Sequence, residues 1–438
     1  MTNIKNVIFT AALLFITTYS FAQHPKHVVL ISVDGLRPDF YLDTAWHTDN
    51  MHTLMKNGAY AKGVNSVFPS MTYPSHTTMV TGVQPAKHGV YFNAMFEPTG
   101  ATGKIYWNDS SIHSPTLWEA VKQKGGLTAA SLLWPVSADA PVAYNIPDIG
   151  SLGEKVREQY SKPEGFVDTL KAEVFNGAEK IDYGKNVNVA RIAAYVIQKA
   201  QPTLMTIHFF AVDHAEHMEG RNGNMVKEAV QDADSGVAII VKALKDAHIW
   251  DSTVVIVTGD HGFVDVKTTL NPNVWLKENG LCNDVKADDW KAQFFTVGGS
   301  AYLYVKNNDP QVISQVKTIL NKLPEDKRKL FAIVDRKQLD AIGANPEVPL
   351  ALTGLNGTSF GGVFTGDDIK QGHGGTHGYF PNFKDIQTGF IAYGPGIQKG
   401  TVIPEMNERD ICSIVATLLQ LSFPSATGKV PAGLISSR

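Results

Sequence analysis

Three runs of residues, 27–33, 203–210 and 253–257, are largely apolar and rich in β-branched side chains, and each passes directly into a short polar or glycine-containing segment. A run without polar alternation belongs to a strand buried on both faces, as in a parallel sheet. Amphipathic segments lie between them. Val189, Ile192, Ala193, Val196, Ile197 and Ala200 recur at helical spacing, and 224–248 reads as a long helix with one apolar face. This alternation predicts βαβ units, and so an α/β fold around a mostly parallel sheet. Further strands are expected at 127–133 and 388–393. Helices are expected at 38–57, from Ser114 as cap with Pro115 in first position, and along the stripe Ile411, Ile414, Val415, Leu418 and Leu419.

The chemistry-bearing residues cluster just past these strands. Asp34-Gly35 ends the first, Asp213-His-Ala-Glu-His217 follows the second, and Gly259-Asp-His-Gly262 follows the third. In α/β sheets ligands bind beyond the carboxyl ends of strands. Asp34 also fits as a cap for the next helix, but adjacent Asp260 and His261 would lose hydration if merely packed, which favours metal ligation. Asp213 and His217, four residues apart, share one face of a helical turn. His377 stands in the glycine-rich stretch 372–378. Thr72 is read as the N-cap of a helix with Pro74 in its first turn, which places its hydroxyl at the positive end of the helix dipole. Asn93 closes a turn-rich segment with an amide able to donate to an anionic oxygen.

Together Asp34, Asp213, Asp260, His217, His261, His377 and the Thr72 hydroxyl make up nearly two Zn²⁺ shells. Such a pair of ions suits attack of Thr72 on phosphorus. The N–H groups near Thr72 and the Asn93 amide would hold the phosphoryl oxygens, and a phospho-threonine would form and be hydrolysed. No organic cofactor is required.

The chain has 438 residues, 43% hydrophobic and 18% charged, with a net charge of -3. That balance offers no basic footprint for a nucleic-acid duplex. Lys5, the apolar run 7–21 and Ser20-Phe-Ala22 read as a signal peptide over 1–22, too short to span a bilayer, so the mature chain is expected from Gln23 as a periplasmic or secreted protein without a stable membrane anchor. Cys282 and Cys412 lack metal-ligand spacing, and packing is favoured over pairing. Regular alternation weakens across 264–372, which is expected to be a smaller lid or subdomain inserted into one catalytic domain, 23–438.

The ordered motifs Asp34-Gly35, Thr72-Tyr-Pro-Ser-His76, 213–220, Asp260-His-Gly262 and His377-Gly-Tyr379 span essentially the whole mature chain. In that order they resemble the nucleotide pyrophosphatase/phosphodiesterase family of the alkaline phosphatase superfamily. The resemblance implies a three-layer α/β/α sandwich and a small-molecule phosphodiester or nucleotide substrate. It also implies two zinc ions, one held by Asp213, His217 and His377, the other by Asp34, Thr72, Asp260 and His261. By the same resemblance Asn93 contacts phosphate and Tyr73 helps hold a nucleoside base. One departure is Glu216, which stands where the family pattern has glycine. His76, His214 and His373 are left as structural or supporting histidines. A phosphomonoesterase on the same core is the alternative, but the motifs contain no lysine or arginine to hold a dianionic phosphate. No Cys/Ser-x-Pro-x-Arg sulfatase motif surrounds Thr72, and a metal- or carbohydrate-binding protein without turnover is the reading from another class.

Overall fold

The structure is a computed structural model that describes residues 24–100 and 102–436; the expected signal segment 1–22 lies outside the described residues. Its central sheet consists of β1 (His27–Val33), β2 (Ala59–Asn65), β3 (Ala129–Leu132), β4 (Tyr144–Ile146), β5 (Leu204–Phe209), β6 (Thr253–Thr258), β7 (Thr388–Tyr393), β8 (Val402–Ile403) and β9 (Met406–Asn407). Across the sheet the order is β8-β2-β7-β6-β1-β5-β3-β4, with β9 also on β2. All pairings are parallel except those of β7, which runs opposite to β6 and β2.

The main helices are α1 (Asp49–Asn57), α2 (Thr72–Thr81), α3 (Leu117–Lys124), α4 (Asn186–Ala200), α5 (Ala211–Glu219), α6 (Asn224–Asp246) and α7 (Arg409–Leu418). Successive side chains of a strand point to opposite faces, and β1 uses both. Val28 and Leu30 join Met79 and Val80 of α2, Trp118 of α3 and Ile411 and Val415 of α7. Val29, Ile31 and Val33 join Leu54 of α1, Val189 and Ile192 of α4 and Val230 and Val237 of α6. Helices therefore cover both faces of the sheet, giving the three layers. Each fully buried large aliphatic contributes about 1.5–3 kcal/mol, which is why most positions of the central strands are apolar.

Strands Ala292–Val297, Ser300–Val305, Leu350–Gly354 and Phe331–Asp335 form a separate antiparallel sheet in that spatial order. It has its own apolar cluster with the helix Pro310–Lys322, including Leu303, Val316, Leu320 and Leu352. Phe68 and Phe92 pack on Tyr302 and tie this sheet to the Thr72 loop. Cys282 and Cys412 are free and buried in different clusters.

Two expected helix starts are corrected. The 38–57 segment is broken into Asp39–Leu42, a 3-10 turn Thr44–Trp46 and α1, because Asp43 accepts from Ala45 N–H and His47 takes a left-handed φ of 56°. Short polar side chains compete with the helix for backbone groups. Helix α3 is capped by Thr116 rather than Ser114, through a reciprocal capping box with Glu119.

Candidate active site

Because β1 and β3–β6 are parallel, their carboxyl ends open on one edge of the sheet. Asp34 follows β1, α5 after β5 carries Asp213 and His217, and Asp260 and His261 follow β6. Strand β7 runs the other way and so begins at this same edge, which brings in His377 just ahead of it. The immediate placement of His377 comes from Gly375 and Thr376, which pair with Asp265 and Val264 just after β6.

The structure draws these six side chains together. Asp213 Oδ1 is 3.4 Å from His217 Nε2 and 3.5 Å from His377 Nε2. His261 Nε2 is 3.2 Å from Asp34 Oδ1 and 3.3 Å from Asp260 Oδ2. Ligand atoms of Asp213, His217 and His377 lie within 4.8 Å of one another, as do those of Asp34, Asp213 and His261, so Asp213 stands between two groups.

Each imidazole is turned the same way. Nδ1 of His217, His261 and His377 lies 3.0, 3.2 and 3.0 Å from the carbonyl oxygens of Gly375, Gly262 and Ser70. A carbonyl only accepts, so in the neutral ring Nδ1 donates and Nε2 keeps the lone pair, directed at the carboxylates. Asp34 Oδ1, Asp213 Oδ1, Asp260 Oδ2 and His261 Nε2 are buried with no hydrogen-bond partner. Converging lone pairs with no donor among them fit a divalent cation, and these residues are the ones that would hold it.

The electrostatics agree. Burial, then the neighbouring Asp213, pushes the Asp34 carboxyl well above its usual range, and burial followed by Asp34 does the same to Asp260. Burial, then His377 and His217, drives His261 well down, and burial lowers His377 to about 4. For Asp213 burial works upward, but the adjoining His217 and then His377 bring it below the ordinary value.

Thr72 is not the cap that its sequence context predicts. It is the first residue of α2, the capping position is Met71, and no side chain of that residue caps the helix. The helix start is served instead by Asn93, whose Oδ1 accepts from Tyr73 N–H at 2.9 Å. This commits the amide oxygen and leaves its N–H donors for another acceptor, while the Thr72 hydroxyl is not engaged by the helix. Tyr73, expected against a nucleoside base, is buried beside Val90 and Val136, with its hydroxyl donating to the Asp148 carbonyl at 3.3 Å.

Of the three remaining histidines, His214 and His373 are exposed. His76 is buried, its Nδ1 2.7 Å from the Thr72 carbonyl and 3.7 Å from Asp260 Oδ2. Sequence reasoning missed His208, which lies in β5 between Asp34 Oδ2 at 3.1 Å and the Leu133 carbonyl at 3.0 Å. Its only signal was a polar residue at alternate spacing from Thr206 inside an apolar run. Glu216 is engaged by a cation rather than by the cluster: its Oε1 accepts from Arg37 Nη1 at 2.5 Å, with both side chains almost wholly buried.

The human ectonucleotide pyrophosphatase/phosphodiesterase family member 5 is 26% identical over 58% of this chain and 48% of its own length. Mouse family member 3 is 22% identical over 90% of this chain and 42% of its own, and the venom phosphodiesterase of Naja atra 23% over 92% and 45%. The chain thus spans about half the length of these curated relatives. A solved structure of murine family member 5 is similar with a TM-score of 0.69 and 22% identity, covering 93% of this chain and all of that one; a second structure of that protein is an inactive variant in complex with AMP. The profile described as "Type I phosphodiesterase / nucleotide pyrophosphatase" matches residues 28–380, from β1 past His377. On the strength of that match the chain belongs to the type I phosphodiesterase/nucleotide pyrophosphatase family, within the alkaline phosphatase superfamily.

Proposed function

We propose that the protein is an exported dizinc phosphodiesterase or nucleotide pyrophosphatase that cleaves phosphodiester or pyrophosphate bonds of small nucleotide-like substrates through a phospho-threonine. The observation that carries this reading is the common orientation of His217, His261 and His377, each with Nδ1 at a carbonyl and Nε2 toward unpartnered carboxylates. Asp213, His217 and His377 would hold one ion, and Asp34, Asp260, His261 and Thr72 the other. Bound divalent ions would supply the Lewis acidity that makes the threonine hydroxyl nucleophilic and offsets charge on the phosphoryl oxygens.

The protein's own groups do the rest. Thr72 Oγ1 attacks phosphorus and the alcohol or phosphate departs opposite it; water then cleaves the Thr72 phosphoester. Asn93 holds a phosphoryl oxygen through its free N–H donors. Among the described residues no lysine or arginine forms an ion pair with Asp34, Asp213 or Asp260, which supports a monoanionic diester over a dianionic monoester. The leader 1–22 accounts for export, and 264–372 is read as the inserted unit. Among the described residues no helix is long and apolar enough to cross a membrane.

The test is the purified protein assayed on bis(4-nitrophenyl) phosphate and 4-nitrophenyl phosphate, with Thr72→Ala alongside. The diester should be preferred, and the variant should lose activity on the order of a thousandfold or more while keeping its metal. A strong monoester preference, or an indifferent T72A, refutes the proposal.

A further inference from the structure

The segment 377–380 is held from two sides. On one side the His377 carbonyl accepts the Gly299 N–H at 2.7 Å and the Phe380 N–H donates to Thr353 Oγ1 at 3.0 Å, which ties the segment to the antiparallel sheet. On the other side stands Ser70, fully buried and two positions before Thr72. Its carbonyl accepts the Gly378 N–H at 2.8 Å and lies 3.0 Å from His377 Nδ1. Its hydroxyl donates to the Tyr379 carbonyl at 3.0 Å and also takes the Gly378 N–H, at 3.1 Å. Three consecutive residues of one loop thus close on a single serine of the other.

Neither strand of this junction has slack. Gly378 takes a φ of 93°, and a Cβ there would come 2.3 Å from the Val297 carbonyl oxygen, so glycine is what lets this N–H reach Ser70. Met71, between Ser70 and Thr72, is extended with φ −135° and ψ 156°. Its carbonyl accepts the Ser75 N–H at 3.0 Å in the first turn of α2. Whatever fixes Ser70 therefore fixes the start of the helix that carries the threonine.

We propose that Ser70 is a positioning residue that couples Thr72 to the ion site of Asp213, His217 and His377. Its carbonyl orients the His377 ring, and its hydroxyl locks the register between the 377–379 loop and the start of α2. This rests on the phosphodiesterase reading above. The partner of a ligand histidine's second nitrogen sets the ring's direction, and losing such support costs about 10- to 100-fold in metal affinity or activity. A misplacement of about 1 Å between reacting groups costs a similar factor. The hydroxyl is the half open to substitution, since the carbonyl belongs to the backbone.

The experiment compares wild type, Ser70→Ala and Ser70→Thr at saturating zinc on bis(4-nitrophenyl) phosphate, with kcat referred to folded, zinc-loaded protein. The cobalt(II)-loaded forms are compared by visible absorption, which reports ligand geometry without turnover. S70A should lose about 10- to 100-fold in kcat with KM close to that of wild type, and its cobalt spectrum should change. S70T keeps the hydroxyl and should restore both, so a folding defect in S70A alone does not decide the matter. A loss in S70A confined to the unfolding midpoint, with kcat and spectrum those of wild type, overturns the proposal. So does a lower kcat with an unchanged spectrum, which would leave His377 undisturbed, and so does an S70T as slow as S70A. Wild type that holds zinc yet cleaves no diester overturns the phosphodiesterase reading instead, while the cobalt spectra still test whether Ser70 sets the His377 site.

Discussion

Arg37→Met should destabilise the protein far more than Glu216→Gln, although both changes break the same ion pair. Arg37 is 1% exposed and Glu216 fully buried. Arg37 keeps other partners when Glu216 loses its charge: a two-point contact to Asp39, at 3.0 and 2.7 Å, and the Arg221 carbonyl at 2.6 Å. E216Q therefore removes one charge-assisted hydrogen bond, worth about 1.5–3 kcal/mol at most, and relieves a buried carboxylate at the same time. R37M leaves that carboxylate alone, and its Oε2 already lacks a partner; breaking a buried pair from this side costs about 3–5 kcal/mol. The double variant should recover most of the R37M loss.

The effect has a pH signature. Burial pushes the Glu216 carboxyl well above its usual range while Arg37 opposes, so removing Arg37 raises it further. A carboxyl raised in the folded state favours folding below its unfolded pKa and loses that advantage as pH climbs through the folded one. R37M should accordingly lie closest to wild type in acid and diverge as pH rises from about 4.5. Equilibrium urea unfolding of the four metal-loaded proteins across pH measures this. Equal losses for R37M and E216Q, or a coupling energy below about 0.5 kcal/mol, would refute the reasoning.

Removing metal with a chelator should abolish diesterase activity and lower the unfolding midpoint, by about 4 kcal/mol if ligand exceeded Kd a thousandfold; zinc should restore both, and coincident unfolding curves with and without metal would show that the cluster binds none. His377→Ala should lower zinc content measured by atomic emission, since its Nε2 converges on Asp213. Tyr379 is buried with an unpartnered hydroxyl, so Tyr379→Phe should be neutral within about 0.5 kcal/mol or stabilising; a loss above about 1.5 kcal/mol would reveal a partner. Both cysteines being free, denatured protein should release two titratable thiols without reductant.

Asp34, Asp260 and His261 were legible in the sequence because a buried strand announces its own end, and a charged residue there has lost water for a reason. The three layers were legible for the same cause: β1 runs Val28 to Ile31 without a polar residue, so both of its faces had to be covered. Apolar periodicity carries no direction, however, and nothing in the 388–393 run indicated that β7 is reversed. Partnerships across the chain were equally hidden. His208 reads as a core residue until Asp34, 174 positions away, is seen beside it. Thr72 reads as a cap until Asn93 is found serving the helix start.

The reversed strand β7 also sets an order of events. Five of the six ligand candidates lie before residue 264, but His377 arrives only after the chain has travelled through 264–372 and come back. Until that excursion is finished, Asp213 and His217 have no third imidazole opposite them, and β6 has no neighbour on its outer side. The Asp213, His217 and His377 group thus draws its members from both sides of 264–372, whereas Asp34, Thr72, Asp260 and His261 all precede it, so a cut within that excursion would divide one ion site and leave the residues of the other on a single fragment.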